Sequence, residues 1–227
     1  MKPTLRTRVK ICCMGSVAEA RLAIESGAHA VGLVSEMPSG PGVIAENLIA
    51  EIAAILPPSV GSFLLTCKAD ADSIIEQQKR LRVNTIQICD SLPEGSHQRL
   101  RSALPGVSLV QVIHVRSDDS IDEAVSIAPF VDGILLDSGN PSLPVKELGG
   151  TGRTHDWNLS ARIREAVNVP LFLAGGLTTA NVAQAIKQVR PFGVDVCSGV
   201  RTEDRLDQTK LNSFFAAVRG SNAKDEG

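Results

Sequence analysis

A short, nearly continuous apolar run followed by an amphipathic stretch recurs eight times along the chain. The apolar runs fall at residues 9–13, 30–34, 62–66, 85–88, 108–115, 133–137, 170–174 and 193–196. They are rich in Val, Ile and Leu and do not alternate with polar residues, which predicts parallel strands covered on both faces. Between and after them, 16–26, 45–56, 69–81, 95–103, 120–128, 158–167, 181–189 and 207–218 carry helical spacing. In the first of these, Leu22 and Ala23 mark the apolar face and Gly27 the stop. Eight even strand-helix pairs predict a single-domain α/β fold, a (β/α)₈ TIM barrel over residues 1–219. A doubly wound sheet rarely needs so many even units. The 227-residue length suits one barrel, which typically has about 250. No linker or low-complexity segment divides it. The polar tail 220–227 is expected to be frayed.

Such barrels place their chemistry on the loops at the C-terminal ends of the strands. Strand seven is expected to end in Ala174-Gly175-Gly176-Leu177, and strand eight in Asp195-Val196-Cys197-Ser198-Gly199-Val200. Glycines let backbone approach a ligand, and free amides at a helix start favour an anion. The loops after strands seven and eight form the usual phosphate site of this fold, so Gly175, Gly176, Ser198 and Gly199 are candidate phosphate contacts. Two polar side chains close other strands: Cys12 after strand one and Asp137 after strand six. A thiol and a carboxyl on opposite sides of one mouth could serve as base and acid in an Amadori-type isomerisation. There an acid opens the sugar ring and a base takes the C2 proton. Equally, a strand cysteine can be a small buried hydrophobe, and an aspartate after a strand a turn residue.

The strings Lys10-Ile11-Cys12, Leu135-Leu136-Asp137, Gly149-Gly150-Thr151-Gly152-Arg153 with Asp156-Trp157, Gly175-Gly176-Leu177 with Asn181-Val182, and Asp195-Val196-Cys197-Ser198-Gly199-Val200 cover nearly the whole chain. On them the sequence resembles the phosphoribosylanthranilate isomerase family of tryptophan biosynthesis. The resemblance implies an intramolecular aldose-ketose isomerase with Cys12 as general base and Asp137 as general acid. It would act on a small phosphorylated sugar substrate without cofactor or metal. Cys12 would need nearby positive potential, and Asp137 apolar surroundings to keep its proton. Gly150 and Gly152 lie in a loop expected to fold over the ligand, and Asp156 is expected to cap the next helix.

Departures from the family lie at the substrate's aglycone end. The loop 37–42 reads Met-Pro-Ser-Gly-Pro-Gly where the family usually carries an arginine for the anthranilate carboxylate, and no Lys or Arg occurs between Arg21 and Lys68. Loss of such a fork costs about 1.5–3 kcal/mol. Cys13 replaces a glycine, Cys89-Asp90 replaces a common His-Gly pair, and Arg201 follows Val200 in place of an acidic residue. Gln87, Cys89 and Arg201 are therefore the expected aglycone pocket. Arg201 would be either a substitute cation or a solvated surface arginine, and His114 a satisfied barrel histidine. Cys12, Cys67, Cys89 and Cys197 could share the mouth as a soft-metal or redox site, whereas Cys12 and Cys13 should alternate faces. Two other functions stay open: a paralogue acting on a different phosphorylated sugar derivative, and a non-catalytic phosphate-binding barrel.

Composition narrows the partners. A net charge of −2 and 3% aromatic residues exclude a nucleic-acid surface or base-stacking platform. A 43% hydrophobic content excludes disorder. No apolar run reaches membrane-span length, and no apolar segment follows the basic residues 1–10 as in a secretory signal. Five cysteines, two adjacent, do not make a disulfide framework, so a reducing, cytoplasmic setting is expected. A monomer or homodimer is compatible with all of this.

Overall fold

Parallel strands pair in sequence order around a closed ring in the computed structural model, which describes residues 6–223. The strands are β1 (Arg8–Ile11), β2 (Ala30–Val34), β3 (Gly61–Thr66), β4 (Thr85–Ile88), β5 (Ser108–His114), β6 (Gly133–Asp137), β7 (Leu171–Leu173) and β8 (Gly193–Val196). They alternate with α1 (Val17–Glu25), α2 (Glu46–Ile55), α3 (Ala71–Leu81), α4 (Ser96–Ala103), α5 (Asp119–Ile127), α6 (Trp157–Ala166), α7 (Val182–Val189) and α8 (Gln208–Ala223). The ring closes where β1 pairs with β8, Lys10 beside Asp195 and Ile11 beside Val196. A two-stranded hairpin, β9 (Arg201–Thr202) with β10 (Arg205–Leu206), precedes α8.

Two differences from the sequence pattern have local causes. β1 stops at Ile11 because Cys13 adopts φ +63°, which no strand accommodates. At the other end, α8 continues to Ala223, so 220–223 are helical rather than frayed; 224–227 lie outside the described residues. Leu211, Phe214, Phe215 and Val218 of α8 are buried, and burying each side chain contributes about 1.5–3 kcal/mol.

The apolar core has two shells. Outside the ring, Ile11, Leu33, Leu64, Ile86 and Leu136 pack against helix residues such as Ile49, Ile74, Leu100, Ile163 and Phe214. Inside it, Phe63, Phe172 and Phe192 meet edge to face, with centroids 5.7 and 5.4 Å apart. These rings sit towards the N-terminal ends of the strands and plug the barrel. Beyond them lies a buried ion pair, Lys10 Nζ to Asp195 Oδ2 at 2.7 Å, with Lys10 fully enclosed and its ammonium 5.3 Å from the Phe63 centroid. Next towards the C-terminal ends come Cys12, Cys89, Leu65 and Leu135, which form the floor of the mouth.

Candidate active site

The mouth holds a cavity of about 710 Å³. Cys12, Gln87, Cys89, Asp137, Gly150, Gly152, Gly175, Gly176 and Ser198 all line it, as the sequence leads one to expect. Gly199 sits one residue beyond the lining, where a Cβ would strike the Leu177 carbonyl. Arg201 does not line the cavity, which corrects its assignment to the aglycone pocket. It is not a solvated arginine either. Its side chain is 8% exposed, pairs with Glu19 at 3.0 Å, and donates to the backbone carbonyls of Cys12, Cys13 and Asp204. Burial alone would raise the Glu19 carboxyl, but Arg201 and the amides of Gly15 and Leu206 outweigh it and hold it below its usual range. Arg201 and Glu19 thus tie the backbone after β1 to the β9–β10 hairpin.

Asp137 ends β6 and is buried. Burial pushes its carboxyl up to about 6, and the charge of Asp195 adds to the rise. The Ser138 amide, donating to Oδ1 at 2.6 Å, and the Lys10 ammonium pull in the opposite direction. Gly149 (φ +137°) lies against the second oxygen, where a Cβ would sit 2.8 Å from Oδ2. Only glycine lets the loop after β6 cover the carboxyl this closely. The Thr151 and Ser138 hydroxyls, 2.7 Å apart, anchor that loop to the strand end.

Cys12 follows β1, and its Sγ occupies space that a side chain on β2 would fill. A Cβ on Gly32 would stand 2.6 Å from Cys12 Sγ and 3.1 Å from Lys10 Nζ. The thiol and the buried ammonium therefore flank the same point, and Lys10 supplies positive potential beside the sulfur. Lys10 and Asp195 are the functional pair the sequence reading did not single out. The available signal was a charge inside each of two apolar strands that face each other across the barrel seam, which calls for mutual neutralisation.

The thiols are not arranged as the strand pattern suggests. Cys13 does not turn to the opposite face; with its positive φ it lines the cavity together with Cys12. Cys67 does not share the mouth: it lines an adjoining cavity and donates to the Glu36 carbonyl at 3.1 Å. All five cysteines are free, and among the described residues no group of three or more His, Cys, Asp or Glu is placed to hold a metal ion. Burial, with the charge of Cys12, raises Cys89 far enough that it stays a thiol. His114 lies outside the lining and donates from Nε2 to the Cys89 carbonyl at 3.1 Å, and burial keeps it neutral. Asp156 caps α6 by accepting from the Asn158 amide at 2.8 Å.

The loop 37–42 meets the loop after β6 over the mouth. Ser39 donates to the Lys146 carbonyl at 2.7 Å, and Pro41 fits against Gly150. Gly42 (φ +81°) closes on Cys13, whose Cα and Sγ would stand 2.9 and 3.0 Å from any Cβ at position 42. Met37 and Leu148 separate this cavity from the adjoining one, which Lys68, Lys146 and Asp90 also line, with Lys146 and Asp90 ion-paired. No helix among the described residues is long and apolar enough to cross a membrane.

With this geometry in place, similarity to known proteins can be weighed. Residues 9–217 match the family model described as N-(5'phosphoribosyl)anthranilate (PRA) isomerase. An N-(5'-phosphoribosyl)anthranilate isomerase from Methanocella arvoryzae is 35% identical over 214 residues, 94% of this chain and 98% of that protein. The crystal structure of phosphoribosyl anthranilate isomerase from Thermotoga maritima superposes with a TM-score of 0.80 at 29% identity, covering 94% of this chain and 99% of that one. A phosphoribosyl anthranilate isomerase crystallised with reduced 1-(o-carboxyphenylamino)-1-deoxyribulose 5-phosphate superposes at 0.78 with 27% identity, over 94% of this chain and 99% of its own. A full-length family match on a closed eight-stranded barrel, with the quoted motifs gathered at one mouth, leaves one conclusion: the chain belongs to the N-(5'-phosphoribosyl)anthranilate isomerase family and is an enzyme of the isomerase class.

Proposed function

We propose that this chain converts N-(5'-phosphoribosyl)anthranilate to 1-(2-carboxyphenylamino)-1-deoxyribulose 5-phosphate, a step of tryptophan biosynthesis, in a reducing cytoplasm. The observation that carries the mechanism is Asp137, buried at the cavity wall with its carboxyl raised to about 6, in a pocket it shares with Cys12. Protonated Asp137 gives its proton to the ring oxygen as the bond from that oxygen to C1 breaks, leaving an iminium. The Cys12 thiolate then removes the C2 proton, and the resulting enolamine tautomerises to the aminoketose. Lys10, beside Cys12, favours negative charge at the sulfur, and its partner Asp195 keeps the buried ammonium from being isolated.

Backbone amides of Gly175, Gly176, Ser198 and Gly199 hold the phosphate, with Gly150 and Gly152 closing over it. The anthranilate ring lies against Met37, Leu65 and Leu148, with Gln87 and Cys89 beneath; Gln87 Oε1 is buried without a partner in the protein. One observation favours a second reading, a family paralogue acting on another phosphorylated sugar derivative. The close fit of Gly42 on Cys13 leaves no room there for a side chain that could pair with a carboxylate.

The test is turnover of N-(5'-phosphoribosyl)anthranilate by the purified protein, followed as loss of substrate fluorescence above spontaneous hydrolysis. The expected result is robust turnover that falls by about 10²–10⁴ in Cys12→Ala. Full turnover in Cys12→Ala would remove the proposed base. No turnover, with inorganic phosphate still bound, would favour the second reading.

A further inference from the structure

The proposed isomerisation needs one thiol, yet three crowd the seam between β1 and β8. Ile11 pairs with Val196 and the Cys12 amide donates to the Val196 carbonyl at 2.8 Å, so Cys12 and Cys197 are the next neighbours across that seam. Cys13 follows, and its left-handed backbone brings its thiol back into the mouth. There the Cys13 side chain hydrogen-bonds with both Cys12 and Cys197. All three residues line the open cavity, so a small solute that enters the mouth meets them.

We propose that Cys13 and Cys197 form an oxidisable dithiol, which closes to a disulfide when a peroxide enters the active-site mouth. The two sulfurs are prepared for different roles. The Cys13 thiol donates to Cys197 and lowers its acid range; burial opposes this, and the Arg201 guanidinium assists. Cys197 is thus the thiolate and the first nucleophile. Cys13 keeps its proton, held well above the usual thiol range by those hydrogen bonds and by burial. The Cys197 thiolate attacks one oxygen of the peroxide, the O–O bond breaks, and the other oxygen leaves as water or an alcohol. Cys197 becomes a sulfenic acid and loses its negative charge. That loss lifts one restraint on Cys13, whose thiolate attacks the oxidised sulfur and expels hydroxide, which leaves as water. One peroxide is reduced and two thiols become one disulfide.

Geometry selects this pair among the alternatives. Neighbouring Cα atoms are about 3.8 Å apart across a trans peptide, below the usual disulfide span of about 4.4–6.8 Å, which disfavours Cys12 with Cys13. Cys12 Sγ lies against Gly32 of β2, on the side of β1 away from β8 and Cys197. Cys89 is fully enclosed and protonated, and Cys67 lies in the adjoining cavity. A Cys13–Cys197 bond would move the backbone beside both Cys12 and Ser198, so oxidation would act on the base and the phosphate loop together.

The experiment is equimolar hydrogen peroxide on the folded, reduced protein, alkylation of the remaining thiols, and mass mapping of non-reduced tryptic peptides. The expected product is the peptide holding Cys12 and Cys13 joined to the peptide holding Cys197, two hydrogens lighter than the sum of the two. It should persist in Cys12→Ser and vanish in both Cys13→Ser and Cys197→Ser. A cross-link that survives in Cys13→Ser, or a wild-type protein whose Cys197 goes to sulfinic acid without any cross-link, overturns the proposal. Because the readout is mass, it stands apart from the identity of the substrate. Where turnover is present, oxidation should lower it roughly tenfold or more, as expected for displaced reacting groups, with recovery in dithiothreitol. Full activity in cross-linked protein would overturn the link to function.

Discussion

Asp137→Asn removes an ionisable group enclosed at the end of β6 while keeping its shape and an oxygen to accept from the Ser138 amide. The folded carboxyl titrates at about 6 against an ordinary 3.8, a rise caused first by burial. The folded protein therefore binds this proton more tightly than the unfolded chain. Between those two values the native state carries the extra proton, and stability falls as pH rises through the window. A rise of roughly two units corresponds to about 3 kcal/mol, fully expressed above about pH 7. The neutral asparagine escapes that penalty. Asp137→Asn should be more stable than the wild type by about 3 kcal/mol at pH 7–8, or some 6–12 °C in Tm for a chain of this size. Its advantage should shrink to roughly half at pH 5. Urea or thermal unfolding of both proteins from pH 5 to 8 measures this, and turnover should meanwhile drop by about 10²–10⁴. A stability gap that is absent at pH 7, or that does not change with pH, would refute the idea that a raised carboxyl is held here at the expense of the fold.

Two further predictions concern the groups around Cys12. Lys10→Met leaves Asp195 buried without its partner and should cost about 3–5 kcal/mol in urea unfolding. Adding Asp195→Leu should recover part of that loss, and a double variant as unstable as the sum of the singles would contradict a direct pairing. Gly42→Ala places a Cβ against Cys13 in a positive-φ position and should destabilise by about 1–3 kcal/mol. In the background of Cys13→Gly the steric part should disappear while the backbone strain remains. Equal costs in both backgrounds would show that the two residues are not coupled.

The period of the apolar runs, the eight-fold repeat and the glycine loops determined the barrel, its strand order and the end that carries the chemistry. These are local properties: a strand buried on both faces must be apolar throughout, and a helix covering it must be amphipathic. The same logic placed Cys12 and Asp137 at strand ends on one mouth, and the motif strings supplied their proposed roles. Three matters depended on contacts between residues far apart in sequence, which no local pattern encodes. Lys10 and Asp195 become a pair only because the ring closes β8 onto β1. Arg201 looked like a free cation in a loop, yet the fold commits it to Glu19 and to the carbonyls after β1, 182 or more residues away. Cys13 read as the next residue of a strand, but its left-handed backbone, packed against Gly42, turns it into the cavity beside Cys12 and Cys197. Strand alternation fixes which face a side chain takes only while the strand continues, and where it ends tertiary packing decides.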